Sequence, residues 1–245
     1  MYDSVYGMTD AGMLRDGNED AFLLLPDRQV YIVSDGMGGH NAGEIASQTA
    51  VNKIKDYFSR LDTTKIPGDS VKEYMLNAVH QANKEVWEKS HSANEYSGMG
   101  CTLAMVFIGN GTLHTCHVGD SRVYLLDKAN LVQITTDHSV VNELVQIGQM
   151  SQDEARHSYL KNQLTQALGT SSVVHPGYNS CRLKKNDTVL ICTDGLWDML
   201  TDKNIQKTLK QRGSPESICK QLIGKANEAG GDDNITVIVS RITGE

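Results

Sequence analysis

Short aliphatic runs of strand length open the chain at Ser4–Thr9, Ala21–Leu25 and Gln29–Ser34. The last two flank Pro26-Asp27-Arg28, which reads as the turn of a hairpin. From Ala42 to about Arg60 the period changes. Ile45, Ala46, Ala50, Ile54 and Phe58 fall on one face of a helix. A second helix is expected over Ser70–Ser90 with Val71, Met75, Ala78, Val79, Ala82 and Val86 inward. Ser70 followed by Glu73 has the spacing of a capping box. The pattern then turns β-rich, with an antiparallel meander over Thr102–Ile108, Thr112–Val118, Arg122–Leu126 and Leu131–Thr135. Short helices are expected at Ser139–Ile147 and Ser151–His157, and strands at His175–Leu183 and Thr188–Thr193. Helices at Thr201–Arg212 and Pro215–Ala229 precede a last strand, Ile235–Arg241. Helices early and late with about ten strands between predict antiparallel sheets covered by helices.

Composition narrows the function. The 245 residues carry 30 Asp plus Glu against 23 Lys plus Arg, a net charge of −7. No basic run is present to displace counterions from phosphates, so nucleic acid is not an expected partner. No apolar stretch approaches the ~20 residues of a membrane span. The N-terminus has neither a basic nor an apolar region of a secretory signal. Five cysteines, without a Cys-x-x-Cys pair, read as reduced buried thiols in a cytoplasmic protein. Neither a repeat nor a long linker divides the chain, so one domain over 1–245 is expected.

The chemistry lies where apolar runs meet aspartate. Strand-like runs end in Asp35-Gly36, Asp194-Gly195 and Gly119-Asp120, and others begin after Glu19-Asp20 and Asp232-Asp233. One Asp-Gly is turn chemistry, but five such sites at strand ends can converge at one end of a sheet assembly. Carboxylates without accompanying His or Cys select hard cations such as Mg²⁺ or Mn²⁺. Four carboxylates balance two divalent ions and leave a bound water that ionises easily. Arg15, five residues before Asp20, could hold a phosphate beside such a centre.

These residues resemble the metal-dependent protein serine/threonine phosphatases, the protein phosphatase 2C family, in compact bacterial form. The motifs run in family order: Arg15–Asp20, Asp35–His40 with Ala42–Glu44, Ser97–Leu103, His117–Tyr124, Thr136–Ser139, Leu164–Gly169, Cys192–Asp198 and Gly231–Thr236. The resemblance implies an α+β, four-layer αββα sandwich of two antiparallel sheets flanked by helix pairs, with a metal centre in a cleft at one end. It implies that Asp35 bridges two Mn²⁺ or Mg²⁺ ions. The Gly36 carbonyl and Asp20 complete one, with Glu19 acting through water, and Asp194 and Asp233 hold the other. Asp120, with Asp194, matches the ligand of a third, weaker ion. Arg15 matches the phosphate-binding arginine, and about 140–162 a flap beside the cleft. The implied reaction is direct attack of a metal-bridging hydroxide on phosphoserine or phosphothreonine, without a phosphoenzyme. The implied partners are phosphoprotein substrates and a serine/threonine kinase whose action this chain reverses, with the chain acting as a monomer.

Met37 follows Asp35-Gly36 where animal relatives carry histidine, so the proton for the leaving group is expected from His40 or from water. Trp197 is expected to pack near the site, and His117 and His138 to make structural hydrogen bonds. Two other readings use the same residues. Cys116 and Arg122 have the Cys-x5-Arg spacing of cysteine-dependent phosphatases. A phosphatase-like binding module without activity would keep the fold and lose metal carboxylates, all of which are present here.

Overall fold

The computed structural model describes residues 3–39 and 42–244. Among them, β1 (Asp3–Asp10), β2 (Ala21–Leu25), β3 (Val30–Ser34) and the short β4 (Gly36–Met37) precede two long helices, α1 (Ala42–Ser59) and α2 (Val71–Ser90). Then come β5 (Gly100–Cys101), β6 (Leu103–Gly109), β7 (Thr112–Val118), β8 (Arg122–Leu126) and β9 (Leu131–Gln133). Helices α3 (Val140–Gln146) and α4 (Gln152–His157) lie in the expected flap. They are followed by β10 (Gly177–Arg182), β11 (Thr188–Cys192), α5 (Asp194–Trp197), α6 (Asp202–Leu209), α7 (Pro215–Glu228) and β12 (Ile235–Ile242).

One five-stranded sheet has the order β1-β12-β11-β8-β9 and the other β10-β7-β6-β3-β2, with β4-β5 paired separately. Residue parity on the strands separates three apolar layers. Tyr31, Val33, Val106, Val123, Ile191 and Ile238 meet between the sheets. Ile32 and Met105, of opposite parity, pack against Ala46, Ile54, Met75 and Val79 of α1 and α2. On the other side Leu190 and Val239 pack against Ile205 and Leu209 of α6 and Ile218 and Leu222 of α7. The result is the αββα sandwich. Each buried Leu, Ile or Met contributes about 1.5–3 kcal/mol relative to exposure. No helix among the described residues is long and apolar enough to cross a membrane.

Local capping differs from expectation at one helix. Ser70 makes no capping bond, because the chain enters α2 through a 3₁₀ turn at Gly68–Ser70 that already puts Ser70 at φ −94°, ψ −12°. A capping box forms instead at α4, between Ser151 and Glu154. β9 ends at Gln133, two residues early. The Thr135 side chain, rather than its backbone, accepts the Val123 N–H at 3.1 Å.

Candidate active site

Antiparallel register decides where the carboxylates go. Ala21 pairs with Ser34, so Asp20 before β2 and Asp35 after β3 lie side by side. Cys192 pairs with both Arg122 and Val237, so Asp120 before β8, Asp194 after β11 and Asp233 before β12 occupy the same end of the other sheet. Asp10, the end of β1, pairs with Ile235 and leads into the Arg15 loop. Strand ends of both sheets thus meet at one edge of the sandwich.

Each acidic side chain has its own support. Asp20 is buried, and its Oδ2 accepts from Thr193 Oγ1 at 2.9 Å and Thr236 Oγ1 at 2.6 Å. Asp35 is held through its backbone. Its N–H donates to Thr102 Oγ1 at 2.9 Å, and its carbonyl accepts from Thr102 N at 2.8 Å. Thr102 Oγ1 also lies 2.6 Å from Ser121 Oγ, which ties this turn to the residue after Asp120. The Asp120 carbonyl accepts from Trp197 Nε1 at 3.1 Å. The Arg122 guanidinium stacks 3.7 Å over the Trp197 ring and makes a bidentate pair with Asp137. Asp233 accepts from Arg15 Nη2 at 2.7 Å and from the Asn234 N–H at 2.8 Å. Asn234 braces the approach to both, accepting from Glu19 N at 2.8 Å and donating to the carbonyls of Ala11 and Gly17. Gly36 allows the closest approach. A Cβ there would stand 2.1 Å from the Gly43 carbonyl oxygen and 2.7 Å from that of Glu19.

Crowding shows in the acidities. Burial first, then Asp194 with Asp20 and Asp120, lifts Asp35 well above the usual carboxylate range. Burial, followed by Asp194 and Asp137, does the same to Asp120. Asp20 is raised by burial against the pull of its two threonine donors, and Asp194 by burial and Asp233 to about 6. Glu19 is raised by burial, opposed by Arg15. Asp35 and Asp194 lie close enough that the charge on Asp194 is, after burial, the largest influence raising Asp35. Buried carboxylates that crowd one another call for a positive partner.

A hard-cation centre fits this donor set. It is all oxygen, and Asp20 Oδ1 and Asp194 Oδ1 are buried with no hydrogen-bond partner. Among the described residues no three His, Cys, Asp or Glu side chains close on one point as a finished cage. Each Asp233 oxygen carries one contact, to Arg15 and to the N–H of its neighbour Asn234.

Beside the cluster, a cleft of about 390 Å³ separates α3 and α4 from Trp197, Asp198 and Asp202. Lys161 Nζ reaches Asp198 at 2.5 Å across it, and Arg156 lies 3.8 Å from Asp202.

The structure therefore brings together Arg15, Glu19, Asp20, Asp35, Gly36, Asp120, Asp194 and Asp233, while His40 lies outside the described residues. Thr102, Thr193, Thr236 and Asn234 were missed as supports. They stand inside the quoted motifs, but only the hydrogen bonds reveal their work. His117 and His138 make the hydrogen bonds to backbone that were expected of them. Their rings stack at 4.7 Å, His117 Nε2 lies 2.7 Å from the Thr136 carbonyl oxygen, and His138 Nδ1 accepts from Gly119 N at 3.2 Å. The Cys116–Arg122 reading fails on geometry. Cys116 is buried within β7, its thiol pushed up to about 12 by burial, and Arg122 is committed to Asp137.

Comparison with known proteins agrees. A family model described as Protein phosphatase 2C matches residues 15–223. The chain is 35% identical over 234 residues to the serine/threonine phosphatase Stp of Listeria monocytogenes serotype 4b (strain F2365), covering 94% of this chain and 92% of that protein. The structure of the serine/threonine phosphatase Stp1 from Staphylococcus aureus superposes with a TM-score of 0.93 at 33% identity, covering 98% of this chain and 95% of that one. The catalytic domain of the serine threonine protein phosphatase PstP, in complex with two manganese ions, superposes with a TM-score of 0.88 at 30% identity over 99% of each chain. A match that runs from the Arg15 loop into α7, on a chain that superposes almost end to end, shows that this chain belongs to the protein phosphatase 2C family and is a protein serine/threonine phosphatase.

Proposed function

We propose that the chain is one catalytic unit that hydrolyses phosphoserine and phosphothreonine in proteins, using two Mn²⁺ or Mg²⁺ ions and a weaker third. The carrying observation is the meeting of Asp20, Asp35, Asp120, Asp194 and Asp233 at one sandwich edge, with two buried oxygens lacking protein partners. Asp35, whose neighbours include Asp20 and Asp194, would be the carboxylate shared between two bound ions. The Gly36 carbonyl and Asp20 serve one ion, with Glu19 acting through water. Asp194 and Asp233 serve the other, and Asp120 with Asp194 the third. Bound ions supply Lewis acidity and a water ionised near neutral pH for direct attack on phosphorus.

The protein side of the reaction follows from the same residues. Arg15, on the open side of the cluster, presents a planar fork of donors to the phosphate oxygens and orients them. Thr102 keeps the Asp35 backbone fixed, and Thr193 and Thr236 favour the ionised form of Asp20. His40 or a water gives the leaving alkoxide its proton. The flap at 140–162 borders the substrate path. A serine/threonine kinase supplies the phosphoproteins. The chain acts as a monomer in the cytoplasm, a placement supported by its five unpaired cysteines.

The test is hydrolysis of p-nitrophenyl phosphate and a phosphothreonine peptide with Mn²⁺, with EDTA, and in Asp194→Ala. Activity is expected to require the metal and to be lost in the variant. Unchanged turnover in EDTA would overturn the reading. A binding module without activity would hydrolyse neither substrate under any condition.

A further inference from the structure

Two large apolar side chains are displayed beside Arg15. Met13 is 65% and Leu14 70% exposed. Their loop is not loose. Met13 N donates to the Gly231 carbonyl at 2.8 Å, and Gly12 N to Asp10 Oδ1 at 2.9 Å. Asn234 Nδ2 clamps the loop from both ends through Ala11 and Gly17. Gly12, at φ +79°, lies so close to its neighbour that a Cβ would stand 2.2 Å from the Asp233 carbonyl oxygen. A braced turn that keeps two apolar side chains in water is suited to a ligand that covers them.

We propose that Met13 and Leu14 form an apolar lip that docks a nonpolar side chain of the substrate, one or two positions from the phosphorylated residue. The proposal rests on the reading of Arg15 as the phosphate-holding residue. The lip immediately precedes Arg15, so its Cα atoms lie within ~8 Å of that of Arg15. An extended peptide advances ~3.3 Å per residue, so a side chain one or two positions from the phosphate reaches the lip. The peptide is the occupant because Met13 and Leu14 directly precede Arg15, the proposed phosphate-holding residue, on the same braced loop.

The experiment compares kcat/KM for two phosphothreonine peptides, alike except for Leu or Ser at the two positions on each side of the phosphothreonine. The native enzyme is expected to prefer the leucine peptide by about fivefold or more, the yield of partial burial of one aliphatic side chain. Met13→Gln/Leu14→Gln is expected to bring the ratio close to one, and Met13→Leu to keep it. Both positions are exposed, so folding does not depend on them. No preference in the native enzyme, or one that survives the double variant, overturns the lip alone. Failure to hydrolyse even p-nitrophenyl phosphate overturns the phosphatase reading, and the lip with it. A concentration-dependent dimer that the double variant abolishes, with peptide preference unchanged, would assign the patch to self-association instead.

Discussion

Thr236 Oγ1 donates to Asp20 Oδ2 at 2.6 Å, deep at the junction of the two sheets. The hydroxyl closes a chain of donors. Asn18 Nδ2 donates to Thr9 Oγ1 at 2.9 Å, and Thr9 Oγ1 lies 2.7 Å from Thr236 Oγ1. With the Asn18 amide donating into Thr9, the Thr9 proton points to Thr236 and the Thr236 proton to Asp20. Thr236→Val removes the last donor and is expected to weaken Mn²⁺ binding by about 10–100-fold, as loss of a ligand's supporting hydrogen bond does. Titration calorimetry with Mn²⁺ reads this directly. Thr236→Ser, which keeps the hydroxyl, should bind close to the native enzyme.

Gly36 shows how little room the site leaves. Gly36→Ala brings a methyl against two carbonyl oxygens, and backbone cannot yield as a flexible side chain does. The expected cost is about 1–3 kcal/mol of stability, or more if the turn must shift. Thermal melting should show it, with Gly68→Ala, which meets nothing within 4 Å, as the control.

The stacked histidines make the fold sensitive to acid. Burial and then His117 lower the His138 pKa to about 4, and burial lowers His117 in the same direction. The folded state therefore holds fewer protons than the unfolded chain once pH drops below ~6.5. This contribution is present in full above that value and is lost as pH falls toward 4. Denaturant unfolding at pH 7 and pH 5 should show a smaller loss in His138→Gln than in the native protein. An equal loss would mean that the pair does not titrate as placed.

Thiol chemistry should be irrelevant to catalysis. Burial raises Cys101 and Cys116 to about 12, so neither is a thiolate at neutral pH. Iodoacetamide at pH 8 is expected to leave turnover of p-nitrophenyl phosphate intact in the folded enzyme, and Cys116→Ala to remain active. Inactivation by alkylation at Cys116 would revive the cysteine reading.

The elements were legible because each carries its period in its own residues. Val71, Met75, Ala78, Val79, Ala82 and Val86 were expected inward on α2, and all are buried. The capping box at Ser70 misled because a capping side chain acts only when its backbone stays outside the helix, and a preceding 3₁₀ turn had already bent it in. α5 and the two-residue strands β4 and β5 are too short to carry a period.

The candidate site divides in the same way. The sequence by itself determined the acidic side chains, because Asp-Gly at the end of an apolar run is a local pattern and eight motifs in family order give it context. Only the tertiary structure decided which of them meet. Asp20 and Asp35 are joined by the Ala21–Ser34 pairing, and Asp120, Asp194 and Asp233 by the strands that flank Cys192. It also decided that Arg15 faces Asp233 across 218 positions, and that threonine hydroxyls and Asn234 support the cluster. A hydrogen bond between residues hundreds of positions apart leaves no periodic trace in the chain. It exists because antiparallel register brings distant strand ends to one edge, where crowded and partly buried carboxylates need partners.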